Sequence, residues 1–142
     1  MATRTYDPKN VLLSFANNAI QGYGPDSFIE AERESDGFTD KAGNTGEVAR
    51  ARSADHRGTV KVTLMQTSPY CDILSNLALA DEQGLSSPMP LRLEELNGTT
   101  LLEGADAWIV KFPTVKRAKE VEVVEFTIRV GELKVFVGGM LS

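Results

Sequence analysis

The spacing of apolar residues changes within the stretch Thr59-Val60-Lys61-Val62-Thr63-Leu64-Met65-Gln66-Thr67-Ser68-Pro69-Tyr70. Its first six residues alternate in polarity, which predicts a β-strand over 59–67 with one buried face. Ser68 is then a favoured N-cap, proline suits the first helical position, and apolar residues recur at helical spacing up to a stop signal at Gly84. We therefore predict one α-helix over about 69–83.

Alternation recurs on both sides of this stretch and predicts further strands. It is clearest over 28–34 and over 120–130. Asn97-Gly98 predicts a hairpin between 91–96 and 99–103, because this dipeptide tolerates the positive φ of a tight turn. Shorter apolar runs add strands at 11–15, 107–112 and 133–137, and Asn17-Asn18 predicts the turn of a small hairpin after the first of these. Together, these strands and the helix predict a single mainly-β domain over 1–142. We expect an antiparallel β-sandwich or partial barrel flanked by the helix.

A polar, glycine-containing segment from Ser35 to Arg57 interrupts the alternation. Unstructured connections longer than about 12 residues are uncommon in compact domains and are usually functional or disordered. We predict a long extended arm over 35–57, with a strand possible over 47–52. Phe38 is the one large apolar side chain in its polar part. A disordered loop and an interface arm are both open at this point.

Few residues of this chain suit catalysis or metal binding. The only histidine, His56, lies in a polar loop, and the only cysteine, Cys71, is expected to be structural rather than reactive. Neighbouring carboxylates diverge on a strand or helix, and no glycine-rich phosphate loop is present. We therefore predict no catalytic, cofactor-binding or metal-binding residues and no enzymatic activity.

The net charge and the hydropathy of the chain argue against several other classes of protein. The 142 residues include 15 Lys and Arg against 20 Asp and Glu, for a net charge of -5, which argues against a nucleic-acid-binding protein. The basic cluster from Lys111 to Lys119 is flanked by acids and is typical of a solvated face. No stretch approaches the ~18 apolar residues of a membrane span, and the N-terminus has no apolar core typical of a secretory signal. A lone cysteine suits a reducing compartment.

The predicted strands carry polar side chains along one face. These are Glu30, Glu32, Lys61, Thr63, Glu125, Thr127 and Arg129. An ordinary sandwich with one solvated face would explain this pattern. A second explanation is a wall that lines a water-filled channel, since wide barrels have polar interiors. One chain of this length is too short for such a barrel, but several copies in a ring would suffice.

Several segments carry a family resemblance. They are Tyr6-Asp7-Pro8-Lys9, Phe28-Ile29-Glu30-Ala31-Glu32-Arg33-Glu34, Asp36-Gly37-Phe38-Thr39, Gly46-Glu47-Val48-Ala49-Arg50, Arg57-Gly58-Thr59-Val60-Lys61-Val62-Thr63-Leu64 and Gln66-Thr67-Ser68-Pro69. In order and spacing the chain resembles the tail tube proteins of contractile-tailed bacteriophages. That resemblance implies a β-sandwich with a flanking helix, six copies in a ring whose inner sheets join edge to edge, and rings stacked into a tube for genome delivery.

The resemblance also implies roles for the residues above. The seven polar strand residues would face the lumen, and the arm would reach neighbouring subunits through Phe38, Thr39, Glu47, Arg50 and Arg52. Phe38 is expected to be its anchor, as lone aromatics often are at interfaces. The implied partners are further copies, the tail sheath, baseplate and terminator proteins, and a tape-measure protein and phage DNA in the lumen without specific binding. The implied location is the virion tail, assembled in the host bacterial cytoplasm.

Two alternatives are left open by the sequence. A tail terminator, a baseplate hub or a secretion-system tube subunit would share the same fold, and sequence discriminates between these roles poorly. A small monomeric β-barrel that binds an apolar ligand is the second, and it predicts an apolar pocket around Trp108.

Overall fold

The computed structural model describes residues 3–140, in which strands predominate and one α-helix is present. Met1, Ala2, Leu141 and Ser142, which the predicted domain includes, lie outside the described residues. After a short 3-10 helix at Pro8–Asn10, the elements are β1 (Val11–Phe15), β2 (Asn18–Ala19), β3 (Ile29–Arg33), β4 (Phe38–Ala42), β5 (Val48–Arg52), β6 (Gly58–Met65), α1 (Tyr70–Glu82), β7 (Met89–Glu95), β8 (Leu101–Lys111), β9 (Val123–Val130) and β10 (Lys134–Phe136). The predicted mainly-β, antiparallel fold with one helix is confirmed.

Eight strands form one antiparallel sheet in the order β2-β1-β7-β8-β9-β6-β3, with β10 also paired to β8. The first part of β8, up to Ala107, pairs with β7, and its last part, from Ala107 to Lys111, pairs with β9. A strand shared in this way lets one sheet supply both layers of a sandwich-like fold. We call the half made by β3, β6, β9 and the last part of β8 the polar-faced sheet.

Strand β8 differs from the prediction, which divided it into two strands at 99–103 and 107–112. It is continuous through Gly104, where a Cβ would overlap a methyl group of Val130. The glycine therefore allows close approach of β8 to the end of β9 rather than a turn.

The core lies between the two halves of the sheet. The alternating apolar residues of β6 and β9 are buried as predicted, and one side of α1 is buried with them. The largest fully buried side chains are Phe126, Leu13, Leu64, Leu74, Leu91, Ile128, Leu133, Val60, Val62 and Val130. On β6 and β9, the residues that alternate with these buried side chains lie on the opposite face of the sheet, which is mostly polar.

The helix begins and ends where the sequence predicts. Pro69 already has helical backbone angles, and the hydroxyl of Ser68 accepts a hydrogen bond from the Tyr70 amide at 3.3 Å. Gly84 has a φ of +72°, and the amide of Leu85 donates to the carbonyl of Ala80 at 2.8 Å. A left-handed glycine with this return hydrogen bond is a common helix ending.

The two predicted hairpins form, with one correction. The turn after β1 uses Ala16 and Asn17, at φ values of 52° and 66°, instead of Asn17-Asn18. The side-chain amide of Asn18 instead donates to the carbonyl of Ala16 at 3.2 Å. The hairpin of β7 and β8 has Asn97-Gly98 in its connection, where the Gly98 amide donates to the Glu95 carbonyl at 3.3 Å.

Gly58 gives a test of this packing. A Cβ at this position would lie 2.7 Å from the Cβ of the fully buried Leu133. We expect Gly58→Ala to lower the free energy of unfolding by about 1–3 kcal/mol, because neither strand β6 nor Leu133 can move away from the contact without disturbing the core. Thermal unfolding checks this, with Gly37→Ala as the control, since a Cβ at Gly37 meets nothing within 4 Å. Equal melting temperatures for the two variants would contradict the packing described.

Candidate assembly surfaces

Strand register places the seven predicted polar residues on one face of the polar-faced sheet. Lys61 of β6 lies directly opposite Glu30 of β3 and Thr127 of β9. Thr63 lies opposite Glu125 in the same way. Directly opposed residues of antiparallel strands share a face, so these side chains form one continuous surface. Glu32 and Arg129 belong to it as well, because both lie opposite Thr59. That this surface lines a lumen stays a prediction.

Further residues outside the predicted set also belong to this face. Glu34 accepts a hydrogen bond from the Thr59 hydroxyl and lies 3.9 Å from the Arg129 guanidinium. Thr59 is only 8% exposed. Trp108 and Lys111 of β8 lie opposite Arg129 and Thr127. The alternation of 28–34 already pointed to Glu34, but nothing local predicts the pairing of β8 with β9.

The charges of this face are mixed. Its carboxylates are Glu30, Glu32, Glu34 and Glu125, and its cations are Lys61, Lys111 and Arg129. A surface with interspersed charges of both signs holds neither polyanions nor polycations strongly. It is suited to remaining hydrated.

The arm is a regular β-hairpin, where an extended segment with at most one strand was predicted. Its strands β4 and β5 pair antiparallel, with Phe38 opposite Arg52 and Asp40 opposite Arg50. All residues of both strands are exposed. Gly46, at a φ of +88°, closes the turn, and the Gly43 amide donates to the Glu47 carbonyl at 2.6 Å. The prediction missed the hairpin because an arm without a buried face shows no alternation.

Three of the five predicted arm-contact residues come together on one face of this hairpin. The guanidinium carbons of Arg50 and Arg52 lie 4.4 Å and 5.7 Å from the centre of the Phe38 ring. Such cation–π contacts hold an exposed ring in place. Thr39 is on the other face, and Glu47 lies in the turn, where its carboxylate accepts from the Thr45 hydroxyl. Phe38 is 45% exposed and is not part of the core.

Hydrogen bonds join the two strands of the arm at its base. The Asp55 carboxylate accepts two bonds from the Arg57 guanidinium, at 2.9 Å and 3.0 Å, and one from the Ser35 hydroxyl at 2.8 Å. These donors hold the pKa of Asp55 far below its usual range. The Ser53 amide also donates to the Gly37 carbonyl at 2.9 Å. The arm therefore leaves the domain as a connected hairpin.

Two other side chains, His56 and Cys71, carry groups that could act in catalysis or metal binding, and both contact neighbouring protein groups. Nδ1 of His56 lies 3.6 Å from a Glu132 carboxylate oxygen on the surface. Cys71 is half-buried beside the Met65 carbonyl, and burial raises the pKa of its thiol, with a smaller contribution from Asp72. Within residues 3–140, no three His, Cys, Asp or Glu side chains are grouped to hold a metal ion. No helix in that range has the length and apolar character to cross a membrane.

The ligand-binding alternative predicts an apolar pocket around Trp108, where the structure has a small crevice. Trp108 lines a crevice of only about 10 Å³, with Phe15 and Leu77 among the other lining residues. Such a space is at the lower limit for one water molecule. A larger groove of about 670 Å³ lies elsewhere, between β1 and the segment 21–28.

Comparisons with known proteins give one sequence relative and several solved structures with a similar fold. No family model matches the chain. It is 27% identical over 119 residues to structural protein ORF10 of Pseudomonas phage KPP10, which covers 78% of this chain and 69% of that protein. Among solved structures, it is similar to a chain of the anti-feeding prophage tube-terminating cap, with a TM-score of 0.62 and 8% identity over 96% of this chain and 93% of that one.

Two other solved structures have the same fold. A chain of the PVC sheath/tube terminator of an extracellular contractile injection system gives a TM-score of 0.62 at 9% identity, and covers 96% of this chain and 100% of that one. A chain of the gene transfer agent virion gives a TM-score of 0.56 at 12% identity, and the match covers 94% of this chain and 100% of that one. At these identities the similarity shows a shared fold.

Proposed function

We propose that this protein is a structural component of a phage-type tail that assembles with copies of itself into a ring around a channel. The observation that carries the proposal is the polar-faced sheet, a continuous surface of mostly charged and hydroxyl side chains backed by the core. The sequence relationship to a phage structural protein and the fold shared with tail-tube terminators support it. The proposal assigns the chain no catalytic role.

The channel face suits the passage of DNA. Clustered cations would bind phosphates and release counterions, which would retain a nucleic acid. Here carboxylates are interspersed with the cations, so DNA and a tape-measure protein would pass without specific binding. Six copies, the number that the resemblance implies, would each contribute four strands, giving about 24. Barrels of about 16–18 strands already leave an aqueous channel.

Within the tail we propose the role of tube subunit. Stacked rings would form a conduit, with the sheath protein outside it and the baseplate and terminator proteins at its ends. The tube would belong to the virion and assemble in the host cytoplasm. The second candidate is a terminator that caps the tube, since chains of a tube-terminating cap and of a sheath/tube terminator have a similar fold.

Negative-stain microscopy of the purified chain tests both roles. We expect rings with a stain-filled centre at high protein concentration, and long tubes if the chain is a tube subunit. Single rings that never stack would favour the terminator. A chain that remains monomeric at all concentrations, including after addition to isolated baseplates, would contradict self-assembly.

A further inference from the structure

A cleft of about 320 Å³ lies at the end of the polar-faced sheet opposite to the arm, which joins the other ends of β3 and β6. Strand β9 begins at Val123, but its pairing with β8 begins only at Thr127, so within the described chain residues 123–126 pair with β6 alone. The connection that follows β8, from Lys111 to Lys116, lines the other side of the cleft. The volume is within the range of small binding sites.

The connection after β8 is the most basic segment of the chain. Residues 111–119 carry four cations and no acid, whereas the rest of the chain has 11 cations against 20 acids. Lys111, Lys116, Arg117 and Lys119 are all exposed, and within residues 3–140 none of them forms an ion pair. The local charge therefore favours an anionic ligand here, although the molecule as a whole is negative.

The polar lining of the cleft can bind such a ligand. Lys111 and Lys116 contribute two ammonium groups, Thr114 and Thr127 contribute two hydroxyls, and Glu125 is the one acid in the lining. Ammonium and hydroxyl groups donate hydrogen bonds to the oxygens of a carboxylate or a phosphate, and hydrogen bonds to charged oxygens are the stronger ones. The cleft therefore offers donors on both of its sides to one anionic group.

The apolar lining favours a peptide over a nucleic acid. Phe112 and Val123 both line the cleft, and they are 37% and 44% exposed. A peptide can place an apolar side chain on these walls beside its carboxylate, and apolar walls with a few polar groups are typical of specific binding sites. Glu125 offsets part of the positive charge, which disfavours a run of phosphates more than it disfavours a single carboxylate.

We propose that this cleft binds an acidic peptide segment of another protein. One carboxylate of the segment lies between Lys111 and Lys116, and a neighbouring apolar side chain packs against Phe112 and Val123. The chemistry of the cleft is independent of the function proposed above. Only the identification of the partner, as a tail protein other than this chain, rests on that function.

A synthetic probe tests the ligand class. The probe is a blocked, dye-labelled octapeptide with glutamate-leucine pairs separated by serine, and its control has glutamine in place of glutamate. Fluorescence anisotropy at rising concentrations of the full chain measures binding. We expect the glutamate peptide to bind at least about tenfold more tightly than the glutamine peptide, and the difference to shrink at high salt. Equal binding of the two peptides would overturn the anionic site.

Two double variants test the location. Lys111→Gln with Lys116→Gln should weaken binding of the glutamate peptide by about tenfold or more. Arg117→Gln with Lys119→Gln removes the same charge from the same connection outside the lining of the cleft, and should weaken binding by less than about threefold. All four side chains are exposed, so thermal unfolding should be unchanged in both variants. Equal losses of affinity would overturn the cleft as the site.

Other occupants give different results. A single-stranded oligothymidylate that binds as tightly as the glutamate peptide would overturn the peptide ligand in favour of nucleic acid. A peptide that binds dispersed chains but is excluded from assembled rings would assign the cleft to a neighbouring copy and would also overturn the proposal.

The outcomes also separate this proposal from the proposed function. Chains that form rings but do not bind the glutamate peptide would overturn the cleft alone. Chains that bind the peptide with the expected variant effects but never form a ring or tube would overturn the proposed function and leave the cleft standing.

Discussion

Replacing Phe126 by alanine should lower the free energy of unfolding by about 3–5 kcal/mol. Its ring is only 1% exposed, between the two halves of the sheet. Removing it loses the transfer free energy of the side chain and leaves a cavity that neighbours such as Val62, directly opposite on β6, can fill only in part. Urea unfolding at equilibrium measures the loss as a lower midpoint with an unchanged slope.

The same substitution at Phe38 is the matched control, because residue type is held constant while burial changes. Phe38 lies on the arm against Arg50 and Arg52, so Phe38→Ala should change the unfolding free energy by less than about 0.5 kcal/mol. If Phe38 anchors the arm on a neighbouring copy, this variant should instead weaken assembly. Similar stability losses at the two positions would contradict the assignment of Phe38 to an exposed arm.

Deleting the arm should abolish assembly and leave the domain folded. Residues 38–52 can be replaced by Asn-Gly, since the Ser53 amide already donates to the Gly37 carbonyl and a two-residue turn can join them. The strands of the arm pair principally with each other, so we expect its loss to change the unfolding free energy by less than about 1 kcal/mol. Ring formation should disappear within the detection limit of negative-stain microscopy.

A point variant controls for this larger change. Thr39→Ala alters the face of β4 opposite to Phe38 and should assemble as wild type does. Rings from the deleted chain would show that the arm is dispensable. Unfolding of the deleted chain would show that the arm stabilises the domain, contrary to the contacts described.

Sequence predicted the elements that bury one face and missed those that do not. Strands β6 and β9 alternate because every second side chain is in the core, and α1 has both of its end signals. The arm hairpin buries neither face, so Phe38 to Ala42 shows no period although it forms a strand. The continuity of β8 depends on contact between Gly104 and Val130, which are far apart in the sequence.

The candidate site was predictable to the same extent. Alternation placed Glu30, Lys61 and Glu125 on polar faces of their own strands, and strand register joins those faces into one surface. Lys111 could not be assigned to it, because a register shift in β8 after Ile109 turns its side chain to this face. Shifts of this kind depend on neighbouring strands and leave little trace in local sequence.

The hydrogen-bonded base of the arm has a consequence for the kinetics of assembly. With Asp55 bound to Arg57 and Ser35, the base of the hairpin is already formed before another copy arrives. The conformational entropy of ordering these residues is then lost when the chain folds and is not subtracted from the binding free energy. Encounter between copies would resemble the docking of preorganised rigid bodies, in contrast to the coupled folding and binding of a disordered tail.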